Sequence, residues 1–239
     1  MRFLWNWVQA AKAEIASLVV VFLLGGALFV FASIAEEVKD GDTLGFDSAV
    51  LLALREPGNL ADPIGPHWVE AAVADITSLG GSAVLTIIVT ITCGFLFLSG
   101  KHHAAFLVLA ASIGGGLLST LLKSFFDRAR PDVVLHLVGV SSASFPSGHA
   151  LSAATLYLTL GALLARVQPQ RRLKIYTGFV AATLTVMIGL SRIYLGVHYP
   201  TDVLAGWCIG AAWAMLCWLI AGWLQRRGAV EGASPTVSA

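Results

Sequence analysis

Six runs of roughly 20 apolar residues, near 15–35, 81–99, 104–124, 148–167, 174–192 and 202–224, constrain this chain more than any other feature. In lipid a backbone must satisfy its own polar groups, and a single segment does so only as a helix. The runs therefore predict an all-α fold, a six-transmembrane-helix bundle. Composition agrees: 57% of residues are hydrophobic and 12% charged, against about 25% charged in an ordinary soluble domain. The mean hydropathy is +0.80. A net charge of +1 lacks the basic field that a nucleic-acid partner requires, and excludes that class. Cys93, Cys208 and Cys217 stand singly within apolar runs, without metal-ligand spacing, and read as small buried side chains. Ser33-Ile34-Ala35 resembles a signal-peptide cleavage site, but the apolar stretch before it is longer than a signal core, so the first run reads as a retained helix.

Lysine and arginine positions set the orientation. With the N-terminus inside, Arg2, Lys12, Lys101, Arg166, Arg171, Arg172, Lys174, Arg226 and Arg227 are cytoplasmic, and only Lys39, Arg55, Lys123, Arg128, Arg130 and Arg192 lie outside. Both termini are expected in the cytoplasm: a segment 1–14, a membrane domain 15–225, and a tail 226–239 whose polar end, Glu231–Ala239, reads as disordered. Trp5, Trp7, Trp218 and Trp223 suit interfacial anchoring. The outer excursion Glu36–Gly80 carries apolar residues at helical spacing around Phe46–Leu54 and Trp68–Leu79. Two short amphipathic helices on the membrane surface between spans 1 and 2 would result, forming a cap over the bundle or a gate for lipid entry. The stretches Arg55–Asn59 and Asp62–Pro66 between them are rich in turn residues.

Charge at membrane depth is costly, so where it gathers is informative. Three clusters fall on the outer side. Lys123 and Arg130 are seven residues apart, two turns if the helix continues to Pro131, and could point at one locus or simply snorkel. Ser144-Phe145-Pro146-Ser147-Gly148-His149 opens the fourth span, where a helix N-terminus and a glycine make an anion seat. Ser147 could equally be an ordinary cap. In the third cluster, His198 and Asp202 are four apart beside Pro200, at the start of the sixth helix, with Arg192 ending the fifth. Asp202 could fix the His198 tautomer and leave one ring nitrogen nucleophilic, or merely favour a helix start. Together the clusters offer cations, backbone donors, a nucleophile with its orienter and a second histidine as acid, a set suited to phosphoryl transfer.

Lys123 with Arg130-Pro131, then Pro146-Ser147-Gly148-His149, then Ser191-Arg192 with His198 and Asp202, resemble the three motifs of the type 2 phosphatidic acid phosphatase superfamily without departure. The six-span layout is similar to its membrane branch. The resemblance implies that His198 attacks phosphorus to form a phosphohistidine, with Asp202 holding its ring and His149 protonating the leaving group. It implies phosphate binding by Lys123, Arg130, Ser147, Gly148 and Arg192, followed by hydrolysis by water. No metal or other cofactor enters this scheme. The implied partners are the bilayer and a lipid phosphate, such as phosphatidic acid, phosphatidylglycerol phosphate or undecaprenyl pyrophosphate, with no obligate protein partner. The expected location is a bacterial inner membrane, with the site on the periplasmic or extracellular side.

Two rivals stand beside this reading: a phosphotransferase using the same histidine, and a noncatalytic lipid-binding or transport protein that keeps an anion site. Having both His149 and His198 disfavours the second, because binding alone needs cations and no acid. A vanadate-dependent haloperoxidase shares the anion site but is soluble. His67, His102, His103 and His136 read as loop residues. Asp127 and Arg128 read as a local ion pair, with Arg128 available to a second phosphate. Gly114, Gly115 and Gly116 read as sites of close helix packing.

Overall fold

The computed structural model describes the backbone of residues 2–226 and the side chains of residues 14–224. Trp5, Trp7 and the environment of the segment 1–14 as read above, and the tail beyond Arg226, lie outside the described side chains. The order is α1 (Arg2–Asp40), α2 (Leu44–Ala53), β1 (Arg55–Glu56), β2 (Asn59–Pro63), α3 (His67–Ser78), α4 (Ser82–Leu98), α5 (His102–Phe126), α6 (Gly148–Val167), α7 (Arg171–Tyr194) and α8 (Pro200–Arg226). Among the described residues five helices, α1, α5, α6, α7 and α8, are long and apolar enough to cross a membrane. The sixth expected span differs. α4 has 17 residues, a rise of about 26 Å at 1.5 Å each, and reaches a spanning length only together with α3, from which it is bent by 47°. Thus α3, expected as a separate surface helix, is the first limb of a broken pair and packs against α7.

A second difference lies in the excursion between α2 and α3. The stretch read as rich in turn residues also forms a short antiparallel ribbon, with Arg55 opposite Pro63 and Glu56 opposite Asn59. Pro57-Gly58 closes it, Gly58 taking a φ of +90°.

Helix ends follow local chemistry. α1, α4 and α7 each stop at a glycine with positive φ, Gly41, Gly100 and Gly196. Each end is closed by a pair of bonds onto the last turn; in α7, Gly196 N–H donates to Ile193 O (2.9 Å) and Val197 N–H to Arg192 O (3.2 Å). Gly196 is doubly required. Besides its φ of +73°, a Cβ there would stand 2.6 Å from Arg55 Nη2 and 2.9 Å from Leu135 O.

α6 is the central helix, packed against α5, α7 and α8. Its approach to α8 depends on small residues one turn apart. A Cβ on Gly206 would sit 2.7 Å from Ser147 O, and one on Gly210 would meet Leu151 O. Gly114 and Gly115 likewise face Trp213 and Thr155 closely, whereas Gly116 faces open space. Cys93 and Cys217 are buried and Cys208 half-buried, all as free thiols. The face of α1 away from α8 exposes Leu18, Phe22 and Phe29, as a lipid-facing helix should.

Candidate active site

The end of α5, the start of α6, and the junction between α7 and α8 converge at one end of the bundle. α5 stops earlier than Pro131, because Asp127 adopts a left-handed conformation (φ 42°) and its N–H closes on Lys123 O. Arg130 therefore reaches the site from an extended segment, and the helical spacing expected to align it with Lys123 is not what does so. Instead both cations clasp the segment that leads into α6. Lys123 Nζ donates to Ser142 Oγ (3.1 Å) and to Ala143 O, and Arg130 Nε donates to Ser142 O (2.7 Å). Arg130 Nη1 then donates to Val197 O (2.6 Å) and lies 3.3 Å from His198 Nε2.

That last contact assigns the tautomer. A guanidinium only donates, so Nε2 must be the unprotonated nitrogen and Nδ1 must carry the hydrogen. Nδ1 faces Ser144 Oγ at 3.3 Å and Asp202 Oδ2 at 3.4 Å. Ser144 donates to the same Asp202 oxygen at 2.5 Å, and Tyr199 N–H donates to it at 2.9 Å. Burial holds the His198 imidazole down at about pKa 4, reinforced by the charges of Arg130 and Arg192 and opposed by Asp202. At neutral pH the ring is thus uncharged, with a lone pair on Nε2, which is the form a nucleophile requires.

Ser147 precedes α6 but makes no side-chain capping bond, and its fully buried Oγ has no partner. Its N–H donates to Asp202 O at 2.9 Å, tying the start of α6 to the start of α8. At Gly148 a Cβ would stand 3.5 Å from Lys123 Cε, so the backbone there lies beside that cation. His149 packs against Gly80 and Gly81, at the break between α3 and α4, and lies within electrostatic range of Arg192, His198, Lys123 and Arg130. Arg192 is buried; Nη1 donates to Thr77 Oγ1 on α3 (3.0 Å), and Nε has no partner. An orphaned buried hydroxyl and an orphaned guanidinium nitrogen, beside two more cations, describe a seat for an oxyanion. Among the described residues no group of three His, Cys, Asp or Glu side chains could hold a metal ion.

Arg128 departs from expectation. It does not pair with Asp127; Nη1 donates to Asp202 Oδ1 (2.7 Å) and Nη2 to Asp47 Oδ2 (2.8 Å), with further bonds to Thr201 Oγ1 (2.9 Å) and Thr43 Oγ1 (3.0 Å). Its ring of donors is committed to these partners, which leaves the second-phosphate role without support. Sequence reasoning gave Ser144, Thr77 and Asp47 no role. The one available signal was Asp47 itself, the single charged residue in the helix Leu44–Ala53. His67 opens α3 and meets Glu70 at 3.1 Å, and His136 bonds to Pro131 O at 2.6 Å.

The pattern of the PAP2 superfamily matches residues 104–226, the half of the chain that holds all three clusters. Phosphatidylglycerophosphatase B of Bacillus subtilis is 35% identical over 162 residues, covering 66% of this chain and 77% of that protein. A lipid A 1-phosphatase of Rhizobium johnstonii is 33% identical over 111 residues, covering 42% of this chain and 41% of that protein. Among solved structures, the transmembrane PAP2 type phosphatidylglycerolphosphate phosphatase of Bacillus subtilis superposes with a TM-score of 0.74 at 29% identity, over 86% of this chain and 97% of that one. This integral membrane chain belongs to the PAP2 superfamily.

Proposed function

We propose that the chain is a lipid phosphate phosphatase working through a phosphohistidine. The observation that carries this reading is His198 Nε2, unprotonated, 3.3 Å from Arg130 and within electrostatic range of Arg192, whose Nε, like the Ser147 Oγ, is buried and unpartnered. In the first step the Nε2–P bond forms as the P–O bond to the lipid breaks, and His149, charged once the bound phosphate dianion offsets the cations around it, gives its proton to the leaving oxygen. Asp202 and Ser144 hold the Nδ1–H side of the ring and balance the charge it gains. Lys123, Arg130, Arg192, Ser147 Oγ and the backbone N–H at Gly148 receive the phosphoryl oxygens. In the second step His149 takes a proton from water as the water oxygen attacks phosphorus, the P–N bond breaks, and inorganic phosphate leaves with His149 protonated again. Every group in the scheme belongs to the chain, and no metal has a part in it.

Substrates of this chemistry are phosphomonoesters or pyrophosphates anchored in the bilayer, phosphatidic acid and phosphatidylglycerol phosphate among them. The names of the relatives support this class. The test is phosphate release by the purified protein in detergent with a metal chelator present. Release from at least one lipid phosphate is expected; silence across a panel that includes phosphatidic acid, phosphatidylglycerol phosphate and undecaprenyl pyrophosphate would end the proposal.

We further propose six membrane crossings, with α3 and α4 together as one, in a bacterial inner membrane with both termini cytoplasmic and the site outside. The basic-residue asymmetry supports this orientation. Gly139, exposed with open space where a Cβ would stand, is a suitable probe. A Gly139→Cys chain in intact cells should react with a membrane-impermeant maleimide. Labelling that appears only after permeabilisation would invert the orientation.

A further inference from the structure

Asp47 is fully buried, yet it belongs to the outer helix α2, far outside residues 104–226 and the three clusters. Its carboxylate does two things at once. Oδ1 accepts the Thr201 N–H at 3.1 Å and Oδ2 accepts the Thr201 hydroxyl at 2.6 Å, so it caps, from another element, the first turn of the helix that carries Asp202. Oδ2 also accepts from Arg128 Nη2 at 2.8 Å, while the other arm of that guanidinium holds Asp202 Oδ1 at 2.7 Å. A continuous buried chain thus runs from Asp47 through Arg128 and Asp202 to Ser144 and the Nδ1 of His198.

We propose that Asp47 is a positioning residue for phosphoryl transfer, acting on His198 through Arg128 and Asp202; the proposal rests on His198 being the nucleophile. Two physical effects give it leverage. Arg128 shared between two carboxylates neutralises each only in part, so Asp202 keeps negative charge to offer the His198 ring as that ring becomes cationic in the phosphoenzyme. Without the Asp47 charge, Arg128 would pair with Asp202 alone and withdraw that support. The cap on Thr201 also fixes the start of α8, four residues from the nucleophile, and nucleophile placement is sensitive to small displacements. Neither effect touches the phosphate oxygens, which Lys123, Arg130 and Arg192 would hold. Asp47 should therefore govern the chemical step and leave substrate binding alone.

The test is steady-state kinetics of Asp47→Asn, Arg128→Gln and the double variant on a lipid phosphate that the wild-type chain hydrolyses. Asp47→Asn is expected to lower kcat about 10-fold to 100-fold with KM within about threefold of wild type. Because Asp47 acts through Arg128, the double variant should lie within about threefold of Arg128→Gln alone, with the two losses failing to multiply. The double variant leaves one buried carboxylate, Asp202, without its cation where Arg128→Gln leaves two, and so keeps the question answerable where Arg128→Gln fails to fold: reduced kcat at unchanged KM supports the proposal there too. Wild-type kcat in Asp47→Asn, a KM rise that accounts for the loss, or losses that multiply would each overturn it. His198→Ala, assayed alongside, separates the two readings. If it is inactive while Asp47→Asn is fully active, only the role of Asp47 falls; if it turns over, the phosphohistidine reading falls and this one with it.

Discussion

His198→Ala protein is expected to release no measurable inorganic phosphate from any lipid phosphate that the wild-type chain hydrolyses, a fall of at least about 10,000-fold. The size of the effect follows from what is lost. Lys123, Arg130 and Arg192 would still bind the headgroup and stabilise its charge, but without Nε2 no covalent intermediate can form and water would have to displace the lipid oxygen directly. A tenfold loss in rate corresponds to about 1.4 kcal/mol, so the expected change exceeds about 5 kcal/mol of transition-state stabilisation. His149→Ala should be milder, about 100-fold to 10,000-fold, because it removes acid assistance to the leaving group and spares the covalent route. The two variants should also differ in kind. Rapid quench with a radiolabelled lipid phosphate should trap an acid-labile, base-stable phosphoenzyme in the wild-type chain. The His149→Ala chain should form the same species more slowly, and the His198→Ala chain should form none. Label retained on the His198→Ala protein would place the covalent attachment elsewhere and sink the mechanism.

That these residues stand out as candidates without coordinates follows from the solvent. A lysine or arginine at membrane depth is expensive enough that few occur without a reason. The positions of Lys123, Arg130 and Arg192 therefore carried information that a soluble protein's cations would not. His198 and Asp202 were legible for a second reason: four residues across a helix start is a distance that chain geometry fixes locally. What could not be read was everything set by tertiary contact. Arg128 has an acid beside it in sequence, Asp127, but Asp127 adopts a left-handed turn that ends α5, and Arg128 swings to carboxylates 81 and 74 residues away. The same turn explains why Arg130 is not on the helix with Lys123. Among the spans, the run 81–99 was apolar enough to predict a crossing, but Gly80 and Gly81 pack against His149 and Ile188, and there the helix breaks and bends. The outer excursion was legible as helical around 44–53 and 67–78, and illegible as a brace. Arg55 donates to Tyr194 O at 3.0 Å and Tyr194 donates to Ile64 O at 2.9 Å, contacts that no periodicity contains. They fasten the ribbon to the segment carrying Arg192 and His198, which favours a cap over a freely moving gate.

Arg128→Met should lower stability by about 3–5 kcal/mol, the usual loss when one partner of a buried ion network is removed. The side chain of Arg128 is 9% exposed, and those of its two carboxylate partners are 0% exposed. Methionine fills much of the same volume, so the loss is electrostatic in origin and not a cavity effect. Two buried carboxylates would then face each other with no cation between them, and at least one would have to take up a proton or draw in water. Arg128→Lys should fall between Met and wild type, because a single ammonium on a flexible stem cannot reproduce two opposed arms of a planar guanidinium. The measurement is the midpoint of thermal unfolding in detergent, followed by intrinsic tryptophan fluorescence, for all three proteins at pH 7. A midpoint for Arg128→Met equal to wild type would mean that the Asp47–Arg128–Asp202 arrangement does not hold α2 to the start of α8. The route from the outer loop to the nucleophile would then lose its physical basis.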